Sequence, residues 1–269
     1  MGIKIIIILF FISFIYPVVS AEKIIMLSDS FCPYSCDPFS DKKGIIVEVG
    51  KTILEKHNYI VEYRHVNWAR AIVEVRKGKA NALVDAYISD APDFIFPSEA
   101  VMESKMCFFT LVSRDSWKFE GYKTLSQRKI SVVNEYSYGE NFDIYINKNN
   151  LRGHNNIVKI SGSDIFIRRI KLLLSGRIDT ILEEYLVFSY KFKNSNIKDN
   201  LLRKDKIKNV GCLQEEGMYI AFSPNLDSSE KYSVLVSNGL KKMKADGSLR
   251  NIINKYINAL DAELTFPAN

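Results

Sequence analysis

Residues 163–184 read Ser-Asp-Ile-Phe-Ile-Arg-Arg-Ile-Lys-Leu-Leu-Leu-Ser-Gly-Arg-Ile-Asp-Thr-Ile-Leu-Glu-Glu, and this stretch decides the fold. Ser163 or Asp164 is placed to cap a helix by accepting a bond from a free N–H of its first turn. Phe166, Ile170, Leu173 and Leu174 recur at helical spacing and form one apolar face. Gly176 offers the left-handed residue that ends such a helix. Ile178 to Leu182 is a short apolar run suited to a buried parallel strand. Glu183 and Glu184 then stand at its carboxyl end, where open α/β sheets bind ligands.

The same grammar occurs earlier, in Trp68-Ala-Arg-Ala-Ile-Val-Glu-Val-Arg-Lys-Gly-Lys-Ala-Asn-Ala-Leu-Val-Asp85. Trp68, Ala71, Ile72 and Val75 share a helical face, Gly78 stops the helix, Ala80 to Val84 is the strand and Asp85 is the acid at its end. Gly78 and Gly176 lie 98 positions apart (176 − 78). Two copies of a helix–Gly–strand–acid unit predict two similar α/β lobes, although repetition of this grammar is also ordinary in a single α/β domain.

Outward from these units, strands are expected at Glu22–Leu27, Tyr59–Tyr63, Met106–Val112, Ile130–Val133 and Gly217–Ser223. Helices are expected at Gly44–His57, from about Glu140, at Tyr185–Phe192, Ser229–Lys244 and Ser248–Leu260, with a short helix or turn at Tyr122–Gln127. Lys193 to Lys208 reads as polar and irregular. The opening β-α-β-α-β run favours a mostly parallel sheet. No Gly/Ser-rich linker separates the halves, so ordered strands are expected to join them, with Met106–Val112 and Gly217–Ser223 as candidates.

The chain has 269 residues and a formal net charge of +6. Its basic residues are scattered and lack interleaved aromatics, which argues against a nucleic-acid surface. Lys4, the apolar run Ile5–Tyr16, Pro17 and Val19-Ser20-Ala21 have the form of a cleaved export signal, too short for a spanning helix. An oxidising compartment then permits disulfides among Cys32, Cys36, Cys107 and Cys212. Cys32 and Cys36 flank a short Pro-containing loop and are expected to pair, and Cys107 with Cys212 is a second candidate. His57, His65 and His154 have no metal-ligand spacing with the cysteines, and no metal is expected.

The order of elements resembles the solute-binding proteins of bacterial ABC transporters of the amino-acid type. The resemblance covers nearly all of the chain after the signal and rests on five segments: Gly44-Ile-Ile-Val-Glu-Val, Gly78-Lys-Ala-Asn-Ala-Leu-Val, Thr124-Leu-Ser-Gln-Arg-Lys-Ile-Ser-Val, Gly176-Arg-Ile-Asp-Thr-Ile-Leu-Glu-Glu and Asn238-Gly-Leu-Lys-Lys-Met-Lys-Ala-Asp-Gly-Ser-Leu. Trp68-Ala-Arg-Ala resembles a variant branch with a Trp-x-Arg-Ala helix start. The resemblance implies the two-lobe α/β periplasmic-binding fold of type 2: a signal peptide at 1–21, lobe one at 22–112 plus 216–269, and lobe two at 113–215.

The resemblance also implies residue roles. Glu184 matches the acid that pairs with a ligand ammonium, Ser137 and Tyr138 match a loop that holds a ligand carboxylate, and Tyr34 matches an aromatic lid. Asp85 and Tyr87 lie at the lobe-one strand end, and Trp68 is either core or cleft wall. The family's carboxylate-clamping arginine is absent; its place falls near Asp90. Arg70 is either its substitute or a surface ion pair. The implied function is periplasmic binding of a small polar solute (an amino acid or a related amine or organic acid) for an inner-membrane ABC permease. That reading implies a monomer with no cofactor, no nucleic acid and no catalysis. The alternatives are an enzyme resembling cyclohexadienyl dehydratases, with Glu184 as general acid, and a free-standing sensor.

Export has a direct check. The intact mass of protein from a periplasmic extract should correspond to a chain starting at Ala21 or Glu22; a full-length mass in the membrane fraction would overturn the signal-peptide reading.

Overall fold

The computed structural model describes residues 21–113, 116–151, 156–195 and 207–261. The export signal at 1–20 lies outside the described residues. Among those that are described, no helix is long and apolar enough to cross a membrane.

In chain order the first half is β1 (Lys23–Ser28), α1 (Ile45–Glu55), β2 (Ile60–His65), α2 (Trp68–Arg76), β3 (Ala82–Ala86), β4 (Met102–Ser104) and β5 (Met106–Leu111). The second half is β6 (Ile130–Val133), α3 (Glu140–Leu151), β7 (Ile157–Ile160), α4 (Ile165–Leu174), β8 (Thr180–Glu184), α5 (Tyr185–Asn194), β9 (Ile207–Cys212), β10 (Glu216–Phe222), α6 (Ser229–Ala245) and α7 (Ser248–Asp261). Two five-stranded sheets result, ordered β2-β1-β3-β10-β4 and β7-β6-β8-β5-β9. In each, three parallel strands come from one β-α-β-α-β run, and the fourth strand is antiparallel: β10 on β3, β5 on β8. The two helix–Gly–strand units occupy equivalent places in the two sheets. Gly78 (φ 70°) and Gly176 (φ 72°) both take the left-handed conformation expected after a helix.

Several expectations shift. The strands at the repeat ends begin two residues later than the apolar runs, so Asp85, Glu183 and Glu184 lie inside β3 and β8 and not beyond them. The cause is local: the Ile178 N–H bonds back to Leu172 O and the Asp179 N–H to Lys129 O, which uses those residues in the turn. Asp164 precedes α4 in a left-handed conformation (φ 53°) without a side-chain capping bond. β4, β7 and β9 were not anticipated. Each is an edge strand with one partner, so none carries the fully buried apolar run that announces a central strand. β5 belongs to the second sheet, although it falls within the 22–112 segment assigned to lobe one; chain passes between the sheets at Lys105 and again at Leu213–Glu215.

Two covalent and electrostatic ties hold the second lobe. Cys107 and Cys212 sit opposite each other in the β5–β9 ladder and form a disulfide beside both crossings. Arg169 of α4 is fully buried. It donates to Glu183 at 2.8 Å, to the Ser131 hydroxyl at 3.1 Å, to Ser131 O at 2.9 Å and to Leu182 O, linking α4 to β6 and β8. Glu183 thus faces an ion pair in the lobe interior. Cys32 and Cys36 are also joined, across four positions of the loop after β1. Gly44 (φ 113°) lets that loop abut α1, since a Cβ there would lie 2.2 Å from Tyr34 O.

The two disulfides should differ in weight. The Cys107–Cys212 link closes 105 positions, and a loop of that length is worth up to about 4.7 kcal/mol in the chain-entropy account. The Cys107→Ser/Cys212→Ser double variant should therefore melt well below wild type, whereas Cys32→Ser/Cys36→Ser should cost much less. Glu183→Gln should destabilise by about 3–5 kcal/mol, because it leaves the Arg169 charge buried without its partner. Denaturant melts check all three, and wild-type stability in Glu183→Gln would refute the structural role.

Candidate functional site

The carboxyl ends of the parallel strands of both sheets meet across a cleft, as expected for open α/β sheets. A cavity of about 30 Å³ lies there, lined by Asp29 and Phe31 after β1, Asp85 and Tyr87 at the end of β3, Asp90, Trp68 at the start of α2, Met106 at the start of β5, and Tyr136 and Ser137 after β6. That volume holds roughly two waters. The lobes touch directly across it: the Tyr136 hydroxyl donates to Asp29, its ring meets Phe31 edge-on at 6.3 Å, and Ser89 and Ser137 hydroxyls lie 3.1 Å apart.

Asp85 is the centre of the arrangement. Opposite it in β10 the register slips, with Tyr219 facing Ala86 and Ile220 facing Val84, so Asp85 is the extra residue of a β-bulge. Its φ of 68° is left-handed, which an aspartate tolerates better than most residues. Only 4 % of its surface is exposed. Oδ2 accepts from the Ser28 hydroxyl at 3.1 Å, while the buried Oδ1 has no hydrogen-bond partner. Burial pushes the Asp85 carboxyl up to about 8, with the Ser35 and Ser28 hydroxyls offsetting part of the effect.

Other acids surround the cavity. Burial raises Asp90 to about 7, against hydrogen bonds from the Tyr87 N–H (2.9 Å) and the Trp68 side chain. Burial also raises Asp29, with the Tyr136 hydroxyl and the Lys191 charge opposing it. Among the described residues no arginine or lysine lines this cavity, while Lys159 and Lys191 line the cleft beside it. Among the described residues no three histidine, cysteine or acidic side chains are grouped to hold a metal ion.

Of the residues expected at the site, Trp68, Asp85, Tyr87 and Ser137 line the cavity, and four do not. Glu184 caps α5: its Oε2 accepts from the Val187 N–H at 2.9 Å and its Oε1 from the Lys105 N–H at 3.3 Å. Burial raises it to about 7. Tyr34 is buried against Phe31, rings 5.7 Å apart, with its hydroxyl directed to the Glu184 carboxyl. Tyr138 turns into the core and accepts the Val133 N–H at 2.7 Å. Arg70 is exposed on the outer face of α2, paired with Glu74 at 2.6 Å, and clamps nothing in the cleft.

Asp29, Phe31, Asp90, Met106 and Tyr136 were not singled out from the sequence. A signal existed for three. Asp29 and Tyr136 closely follow strands, and Asp90 falls near the place where the resemblance expects an arginine. Met106 is recognisable only once β5 is paired antiparallel to β8, which brings it opposite Glu184.

No family model and no curated protein matches the chain. Solved structures do. The probable amino-acid ABC transporter extracellular-binding protein ytmK of Bacillus subtilis superposes with a TM-score of 0.67 at 18% identity, over 88% of this chain and 98% of that one. A structure described for glutathione import through GshT and the cystine ABC importer of Streptococcus mutans gives 0.69 at 15% identity, over 89% and 96%. A histidine kinase sensor domain similar to periplasmic binding proteins gives 0.66 at 19% identity, over 88% and 97%. The chain therefore has the two-lobe fold of the extracellular solute-binding proteins of amino-acid ABC transporters.

Proposed function

We propose that this protein binds a small cationic solute between its lobes, with Asp85 as the anchoring carboxylate, and delivers it as an exported, monomeric binding protein to an inner-membrane ABC permease. The unpartnered, buried Oδ1 of Asp85 carries the reading. A desolvated acceptor without a partner is costly, and a protonated nitrogen would satisfy it with a charge-assisted bond. Asp29 and Asp90 add acceptors, and the faces of Phe31, Trp68 and Tyr136 suit a cation. Parting of the lobes at the Asp29–Tyr136 contact gives a route of entry. The disulfides fit an exported protein.

Titration calorimetry against arginine, lysine, agmatine and cadaverine, with glutamate and succinate as anionic controls, tests the proposal. At least one cation should bind and neither anion should. Asp85→Asn should weaken that cation by about 2–5 kcal/mol, a loss of roughly 25- to 4,000-fold at about 1.4 kcal/mol per decade. Binding of an anion but of no cation, or unchanged affinity in Asp85→Asn, would sink it.

Stability and binding should respond to pH in opposite senses. Asp85, raised from 3.8 to about 8 in the fold, stabilises the ligand-free protein in its protonated form. That contribution is complete below the unfolded value and is lost as pH rises through about 8. Asp90, Asp29 and Glu184 act in the same direction. The cation requires the ionised form, so affinity should climb between pH 6 and 8.5 with proton release at the lower end. Thermal melts of wild type and Asp85→Asn across this range provide the check: the variant's melting temperature should fall less with pH. Parallel wild-type and variant curves would remove Asp85 as the source.

A further inference from the structure

Once its acids are ionised the cavity offers mainly acceptors, because the donors of its neutral side chains are engaged. The Tyr136 hydroxyl is given to Asp29, and the Tyr87 N–H and the Trp68 side chain are given to Asp90. The Tyr87 hydroxyl is paired with Ser104 at 2.7 Å. The one stretch where donors cluster, the turn into α3, is closed by the protein itself. Asp143 of α3 accepts the Ser137 hydroxyl at 2.5 Å through Oδ2 and the Tyr138 N–H at 3.1 Å through Oδ1, and the Gly139 N–H is directed to the Ser137 hydroxyl at 3.3 Å. An internal carboxylate thus occupies the donors that an incoming anion would need. Among the described residues arginine and lysine are absent from the lining of this cavity; Lys159 and Lys191 lie further out in the cleft, where their charges act on Asp143 and Asp29.

From this census we infer that the solute is an amine, guanidine or diamine that carries no carboxylate, and that Asp143 excludes the corresponding amino acids. The inference rests on the cationic reading above and narrows it. A ligand carboxylate brought beside the ionised Asp29, Asp85 and Asp90 would meet like charge from three acids against the single Lys191 charge that acts on Asp29, and interfaces use like charge to reject wrong partners. A protonated nitrogen meets only acceptors. The cavity of about 30 Å³ has room for one such head group, and the rest of the solute would extend into the wider cleft beyond Tyr136 and Ser137.

Pairs of molecules that differ only by the carboxylate test this: agmatine against arginine, and cadaverine against lysine, by calorimetry on the full mature chain. Agmatine or cadaverine should bind at least about 100-fold more tightly than its amino acid. In Asp143→Ala, which frees the Ser137 hydroxyl and the Tyr138 N–H, the gap should narrow by at least about tenfold. Asp143→Asn replaces an acceptor by a donor at nearly constant shape and should shift the gap the same way, which covers the case in which the alanine variant folds poorly. If arginine or lysine binds as tightly as its decarboxylated partner, this inference falls while the cationic reading stands. Binding of none of the four removes both. A gap unchanged in both Asp143 variants overturns Asp143 as the excluding group.

Discussion

The arrangement depends on burying one carboxylate, Asp85, without a counter-charge. A lone buried acid is unfavourable, and a fold can hold one only where the surrounding structure over-determines it. Here β3 is central in its sheet, between β1 and β10. The bulge opposite Tyr219 and Ile220 removes Asp85 from the regular ladder, and Ser28 of β1 fixes one of its oxygens. The other oxygen is left over. What is a liability for the ligand-free fold becomes, on this reading, the source of affinity for a cation.

Arg169 and Glu183 show the opposite solution in the other lobe. Both are buried, but each charge faces the other at 2.8 Å, and two backbone carbonyls and a hydroxyl complete the arginine's bonds. That pair is structural: it ties helix to sheet within the lobe. The comparison separates acids that hold the fold together from acids available to a ligand, although Asp85 and Glu183 stand at equivalent strand ends. What distinguishes them is whether a cation already belongs to the chain.

Between the lobes the chain passes twice, at Lys105 and at Leu213–Glu215, and the Cys107–Cys212 bond stands beside both passages. Hinge motion in such folds is absorbed by a few residues at element ends. The disulfide leaves the crossing residues outside its ring and fixes where lobe two begins. The contacts between the lobes at the cleft include Tyr136 with Asp29, Tyr136 with Phe31 and Ser89 with Ser137. They can be exchanged for contacts with a solute.

Periodicity and punctuation in the sequence determined the central strands, the helices and the two-lobe plan, because 3.6-residue apolar faces and left-handed glycines are local properties. The repeat placed Asp85 and Glu184 at strand ends for the same reason. Edge strands β4, β7 and β9 were not legible, since half-exposed segments lack an apolar run. The roles of the site residues were decided only by tertiary structure. Glu184 and Asp85 look alike in sequence, yet one caps α5 and the other faces a cavity, because α5 begins directly after β8 and supplies N–H groups to the nearer acid. Arg70 and Tyr138 likewise point away from the cleft for reasons of helix face and core packing. Which donors remain free near Ser137 was set by Asp143, six residues further on, and hydrogen-bond satisfaction of that kind is a property of atoms brought together by the fold.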